Sequence, residues 1–428
     1  LLVLIISLRE LKKRRSEKMQ FNKKLLRFLP LLAVIGPGII SGSVDNDAGG
    51  IATYSIAGAT FGTSLLWVLF ITTFSLAITQ EVGARMGLVT GKGLASLIRE
   101  KFGVRWTTFI MMVLLIANIG TIAAEFAGIA ASFEIFHVNR LISIPIIAIV
   151  IYFVVTKWDF KKLEKIFLIA SAFYLVYIVS AVLAHPNWSF AVSQLVTPTV
   201  RFDKSYLFTL IAVIGTTITP WGQFFIQDYV VDKKLTRDDL KIERGDVFFG
   251  SFITNVISFF IIVACAATLF VNGIQIHDAK DAALALQPLA GQFAGILFGL
   301  GLLNASIFGA ALVPVATSYV VSEAFGFESG LSLSFKEAPE FYGLFTFLLI
   351  IGALLVVLPF FPLLTILFVS QAINAILLIP ILIFLYVLSN DKRLLQGYKN
   401  GKLINIVLLI TIAVIVVSAI AYAISSFF

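Results

Sequence analysis

The stretch Gly36–Gly50, GPGIISGSVDNDAGG, decides how this chain is read. It lies inside a long apolar run, yet it holds two carboxylates (Asp45, Asp47), an amide (Asn46), two hydroxyls (Ser41, Ser43), five glycines and a proline. Hydrocarbon offers no water to an unpaired backbone group. Irregular chain at membrane depth therefore persists only where it is buried in protein or lines a cavity. Carboxylates at that depth are functional-site candidates by default.

The surroundings support that depth. The chain has 428 residues, 59% hydrophobic and 13% charged, with mean hydropathy +0.99, against roughly 25% charged in a soluble domain. Apolar runs of about 20 residues, each enough to span a bilayer, recur along the whole length. The composition specifies an all-α polytopic membrane protein with the lipid bilayer as its main partner. Eleven transmembrane helices are expected, near 30–58, 62–83, 104–132, 141–156, 163–184, 205–231, 246–271, 291–322, 341–358, 362–388 and 403–427.

Alternate loops differ sharply in charge. With the N-terminus inside, 28 of the 32 Lys and Arg residues fall in inside segments, and Arg140, Arg201, Lys204 and Lys280 fall outside. The positive-inside rule then gives a cytoplasmic N-terminus and an extracellular C-terminus, in a bacterial plasma membrane. The net charge of +8 is thus a topology signal spread over short loops, and neither a nucleic-acid partner nor an obligate protein partner is implied. Residues 1–29 read as a basic cytoplasmic segment. Their opening run of eight apolar residues is too short to span, no signal-peptide cleavage site follows, and Met19 reads as a natural start. Cys265, the single cysteine, reads as a small buried hydrophobe.

Segment six is interrupted like segment one. In AVIGTTITPWGQFFIQDYVVDKK (212–234), Gly215 and Pro220 bracket Thr216, Thr217 and Thr219. Proline removes a helix donor and clashes one turn back, which frees carbonyls. Breaks in segments one and six, five apart, are the mark of a five-plus-five inverted repeat with substrate at the midplane between discontinuous helices; the alternative is a pair of ordinary kinks. The repeats would cover about 30–184 and 205–388 within a transport domain of 30–390, leaving 403–428 as a peripheral eleventh helix.

Asp45, Asn46, Asp47, Thr216, Thr217 and Thr219 form the candidate metal-binding set, and all are oxygen donors. Two buried anions need a compensating cation, and neither broken segment holds a Lys or Arg near its break. Hard oxygen ligands suit Mg²⁺, Ca²⁺ or Mn²⁺. Met19, Met86, Met111 and Met112 lie elsewhere in the chain, and His137, His185 and His277 fall in outer loops. With every histidine outside the membrane, no nucleophile–histidine–acid set is available there, so an enzyme is not expected, nor a resident cofactor.

From Pro30 to Asn390 the chain resembles the natural resistance-associated macrophage protein family of divalent-metal transporters. The most specific piece is GATFGTSLLWVLFITTFSLAITQEVGARMGLVTGKGLASLI (Gly58–Ile98), where Ala84-Arg85 and Leu88-Val89-Thr90-Gly91-Lys92 are similar to that family's loop after the second helix. The resemblance implies the leucine-transporter-like (LeuT-like) inverted-repeat bundle. Two motifs depart from it. The family's Asp-Pro-Gly-Asn is replaced by Asp47, Ala48, Gly49 and Gly50, and its Met-Pro-His by Thr219, Pro220 and Trp221. The carbonyl ligand three residues before that methionine falls on Thr216. A hydroxyl stands in place of the soft thioether, and the histidine associated with proton movement is absent. This pattern is similar to the magnesium-transporting branch related to the family. Glu125 matches an acidic position of the family, and Gln371 and Asn374 fall where a polar residue lines its site. With Ser43, Gly50, Glu81 (at the end of segment two), Trp221 and Gln223, they are the pathway candidates.

The expected function is Mg²⁺ uptake, with Mn²⁺ as a further cargo, by alternating access and without proton coupling. The alternatives are a proton-coupled Mn²⁺/Fe²⁺ transporter of the main family type and a sodium-coupled solute symporter on the same fold.

Overall fold

A computed structural model describes residues 46–157, 171–331, 333–358 and 360–425. The expectations for Ser43, Asp45, residues 1–29, the first part of segment one and much of segment five fall outside the described residues. Helices dominate, and no strand occurs among the described residues. The principal helices are α1 (Ala48–Phe61), α2 (Leu66–Thr90), α3 (Leu94–Ile135), α4 (Arg140–Lys157), α5 (Leu175–Leu183), α6 (Lys204–Thr217), α7 (Pro220–Asp232), α8 (Leu240–Cys265), α9 (Ala294–Phe325), α10 (Pro339–Val357), α11 (Leu363–Ser389) and α12 (Lys402–Ser425).

Among the described residues nine helical stretches are long and apolar enough to cross a membrane. They correspond to segments two to four and six to eleven. Segments one and five are described only from Asn46 and Ser171 onward, as α1 and α5. Segment six is discontinuous as expected. Its helix stops at Thr217, Ile218 and Thr219 take extended angles (φ −121°, ψ 89°; φ −83°, ψ 144°), and α7 restarts with Pro220 in its first turn. Proline is tolerated there because the first-turn N–H groups have no intrahelical partner.

One boundary needs correction. Glu81 does not end segment two: α2 continues to Thr90, where Gly91 caps it in the left-handed conformation (φ 66°). The charges of this turn stay inside the helix because they are paired. Arg85 Nε donates to Glu81 Oε1 at 3.1 Å, Arg244 Nε of α8 donates to the same oxygen at 2.6 Å, and Arg85 also donates to Asn400 Oδ1 (2.7 Å) and the Tyr398 carbonyl. In α3 the chain turns at Gly103 (φ 79°, ψ 176°). The spanning part begins beyond it, in agreement with the expected start at 104.

Helices in lipid associate through close packing of small residues and interhelical hydrogen bonds. Gly128 of α3 meets Ser306 of α9, and Asn118 donates to Thr317 Oγ1 at 2.6 Å. α12 packs on α2, α6 and α11 at the rim, where Thr411 donates to Ser75 Oγ at 2.7 Å. Most of its length faces outward, as a peripheral helix requires.

Candidate functional site

The start of α1 and the end of α6 meet at α11. A side chain at Gly49 would strike the Gln371 carboxamide, and one at Gly215 would strike the Gln371 carbonyl oxygen. Gln371 is thus wedged between the start of α1 and the end of α6. It is held by Asn374, whose Nδ2 donates to Gln371 Oε1 (3.2 Å) and to Thr121 Oγ1 of α3 (2.9 Å). On the other side of the break Tyr54 and Thr217 hydroxyls lie 2.9 Å apart. Thr217 donates its own proton to the Val213 carbonyl (2.7 Å), so Tyr54 is the donor between them.

Asp47 caps α1. Its Oδ1 accepts from the Gly50 N–H at 2.6 Å, and Gly50 contributes through its backbone. A carboxylate at a helix N-terminus is favoured by the dipole and the unpaired N–H groups. The cap leaves the rest of the Asp47 carboxyl free to face Glu125 of α3. Both residues are buried, at 3% and 0% exposure. Both Glu125 oxygens are buried without a hydrogen-bond partner among the described residues, and Gly309 of α9 packs directly on the carboxyl. Among the described ion pairs none involves Asp47 or Glu125. Two facing carboxyls buried without a cation form an arrangement that a cation or a proton would stabilise.

The hydroxyls beside the sixth-helix break divide by role. Thr216 and Thr219 are buried with unpartnered Oγ1 atoms, whereas Thr217 is committed to Tyr54 and Val213. Trp221 is buried with its indole N–H unpartnered, and Gln223 Nε2 donates to the Thr219 carbonyl at 3.4 Å with its Oε1 free. Asn46 is turned away: its Nδ2 donates to the Thr254 carbonyl (3.4 Å), and its Oδ1 accepts from Ser258 Oγ (3.1 Å), both on α8. Glu81, held by Arg85 and Arg244, stands apart as a charge-neutralised tie between α2 and α8.

Sequence reasoning passed over Tyr174, which donates to the Asn46 carbonyl at 2.7 Å and so holds the unwound turn before α1. It also passed over Tyr54 and Thr121. Their signal, a polar group in an otherwise apolar helix, is too common to single them out. Among the described residues no group of three or more His, Cys, Asp and Glu is placed to hold a metal ion. Any ion here would be held by one or two carboxylates together with hydroxyl, amide and carbonyl oxygens. His137, His185 and His277 are exposed, and Cys265 is buried.

Residues 38–425 match the family model described as natural resistance-associated macrophage protein-like. A divalent metal cation transporter MntH of Ralstonia nicotianae is 30% identical over 306 residues, 66% of this chain and 66% of that one. Among solved structures, a manganese transporter of Eremococcus coleocola superposes with TM-score 0.80 at 18% identity, covering 95% of this chain and 89% of that one. Mhp1, a nucleobase-cation-symport-1 family transporter, superposes with TM-score 0.57 at 14% identity over 91% and 93%. The shared architecture is the LeuT-like helical bundle.

Proposed function

Because this chain belongs to the natural resistance-associated macrophage protein family, we propose that it carries divalent metal cations across a membrane by alternating access, with Mg²⁺ as preferred cargo and Mn²⁺ as a second one. The observation that carries the preference is the sixth-helix break, where Thr216 and Thr219 keep buried, unpartnered hydroxyls and no sulfur or imidazole stands between Gly215 and Gln223. Together with Asp47 and the carbonyls freed at the break, these make an oxygen-only set. Mg²⁺ prefers such ligands and keeps several waters when one or two carboxylates hold it. Asp45, Asn46 and Thr217 complete the proposed binding region, with Asn46 and Thr217 acting through the hydrogen bonds that fix the two breaks. Gln371 and Asn374 link the breaks to α3, and Glu125 sets the charge opposite Asp47.

The substitution Thr219→Met tests this. A thioether favours softer ions, so vesicles bearing this variant should shift their preference for Mn²⁺ or Cd²⁺ over Mg²⁺ by about tenfold, or about 1.4 kcal/mol. An unchanged Mg²⁺-to-Mn²⁺ uptake ratio would remove Thr219 from the site.

Uptake needs no co-transported proton. An inside-negative potential supplies about 4.6 kcal/mol per 100 mV to a doubly charged ion, twice the figure for one charge, or roughly three decades of concentration. Vesicles loaded with a pH probe should therefore take up Mg²⁺ without internal acidification. Acidification in step with uptake would favour the second reading, proton-coupled Mn²⁺ transport, for which the facing carboxyls of Asp47 and Glu125 are the supporting observation. The proposed orientation places the N-terminus in the cytoplasm of a plasma membrane. The α2–α3 turn, the ends of α7 and α9, and the α11–α12 link gather at one end, the end to which the basic loops assign the cytoplasm.

A further inference from the structure

A second pair of facing carboxyls stands at that cytoplasmic end, away from the broken-helix site. Asp228 lies on α7 and Glu323 in the last turn of α9, and they meet across Gly93, the residue that begins α3. A side chain at Gly93 would strike both carboxyls. Glu323 Oε1 accepts from the Gly93 N–H at 3.0 Å, and Gln227 Nε2 donates to the Lys92 carbonyl at 2.8 Å. Asp228 Oδ1 is enclosed and without a hydrogen-bond partner. Around it, Val230 of α7 packs on Gly87 of α2, and Arg99 of α3 donates to the Ala324 carbonyl at 2.9 Å. Three helices are therefore drawn together on one backbone turn, and α7 is fastened shut against α2, α3 and α9.

The charges facing the pair come from every neighbouring element. Asp232 on α7 adds a third negative charge. Of the basic groups at this end, Lys92 pairs with Glu100 at 2.6 Å, Arg99 donates to the Ala324 carbonyl and Arg237 to the Val89 carbonyl at 3.0 Å, and none of the described ion pairs involves Asp228 or Glu323. Tyr319 of α9 lies near Asp232, and Ser96 of α3 lies beside Glu323. Two ionised carboxylates in this position would repel, and one proton held between them turns the repulsion into a hydrogen bond.

We propose that Asp228 and Glu323 share a single proton in this closed arrangement and so form a latch, set by cytoplasmic pH, that holds α7 against α9 and the α2–α3 turn. On opening, α7 leaves, the proton returns to the cytoplasm and both groups ionise as water reaches them. The proton enters and leaves on the same side, so transport becomes sensitive to internal pH while no proton is carried across. The latched state is favoured at low pH and released as pH rises, with tenfold per pH unit as the limit for one proton.

The latch rests on the chain being a cation transporter but not on which cation it carries, so the test uses Mg²⁺ and Mn²⁺ in turn. Full-length protein is reconstituted, outside pH is fixed and internal pH is raised in steps from acid to neutral. Wild-type uptake of the carried ion is expected to rise several-fold. Asp228→Asn and Glu323→Gln replace the shared proton with an amide donor and should hold uptake flat at the slow, low-pH rate. Val230→Cys, at a position buried in the closed state, reports opening directly. Its labelling by an internal thiol reagent should rise with pH even in vesicles that carry neither ion, which separates failure of the latch from failure of the transport reading. A wild-type rate and labelling that ignore internal pH would overturn the latch, as would a pH slope that survives in both amide variants. Internal Mg²⁺ slowing the wild type at fixed pH, with no pH slope, would also overturn it in favour of a bridging cation.

Discussion

Transport is expected to vanish in Asp47→Asn, while the folded protein survives. Asp47 does two jobs, and this substitution separates them. As the N-cap of α1 its Oδ1 accepts from the Gly50 N–H, a bond worth about 1 kcal/mol when removed altogether. Asparagine caps a helix about as well as aspartate, so the start of α1 keeps its geometry. What disappears is the charge that faces Glu125 and, under the proposed function, the cargo. Even changes outside the direct ligands of a metal cost about 10–100-fold, so loss of the one described carboxylate at the first break should reduce uptake by at least about 100-fold. Asp47→Ala removes cap and charge together and should add a fall in melting temperature. Uptake by vesicles, paired with thermal unfolding in detergent, checks both. An Asp47→Asn variant that transports at the wild-type rate would end the assignment of this residue to the cargo.

The second large effect is expected from a single methyl group. Gly215→Ala places a carbon against the Gln371 carbonyl oxygen and about 2.6 Å from the Ala375 amide nitrogen. Both are backbone atoms of α11, so no rotamer change relieves the overlap, and α6 and α11 must separate. Overpacking of this kind costs about 1–3 kcal/mol, more than the helix propensity of up to about 1 kcal/mol that alanine returns over glycine. Because Gln371 also packs on Gly49, the displacement passes to the other break. Both a lower melting temperature and a loss of most transport are expected. Gly245→Ala on α8, where nothing lies within 4 Å, is the control and should be neutral. Equal behaviour of the two variants would show that the α6–α11 approach is not tight.

Much of this architecture was legible because hydrocarbon punishes every departure from a helix. The run of glycines and carboxylates before Ala48 and the Thr-Thr-Ile-Thr-Pro sequence at 216–220 cannot be lipid-facing helix, and the sixth-helix break falls at Ile218–Thr219 accordingly. The start of the spanning part of α3, expected at 104, falls just beyond the turn at Gly103. The end of α2 was not legible, because a sequence shows Glu81 and Arg85 as two charges at a membrane edge and not as a pair completed by Arg244, Tyr398 and Asn400 from distant parts of the chain. The same limit applies within the site. Asn46, Thr217 and Thr219 look alike as oxygen donors in the sequence. Only tertiary contacts distinguish the amide spent on Thr254 and Ser258, and the hydroxyl spent on Tyr54, from the Thr219 hydroxyl left open.

The bond between Tyr54 and Thr217 has a mechanical consequence. It ties α1 to the last turn of α6, so in the proposed transport cycle these two helices shift together. Relative movement at the sixth-helix break is then left to α7. Under the proposed function a cargo released inward would leave by the swing of α7, with Ile218 and Thr219 as its pin.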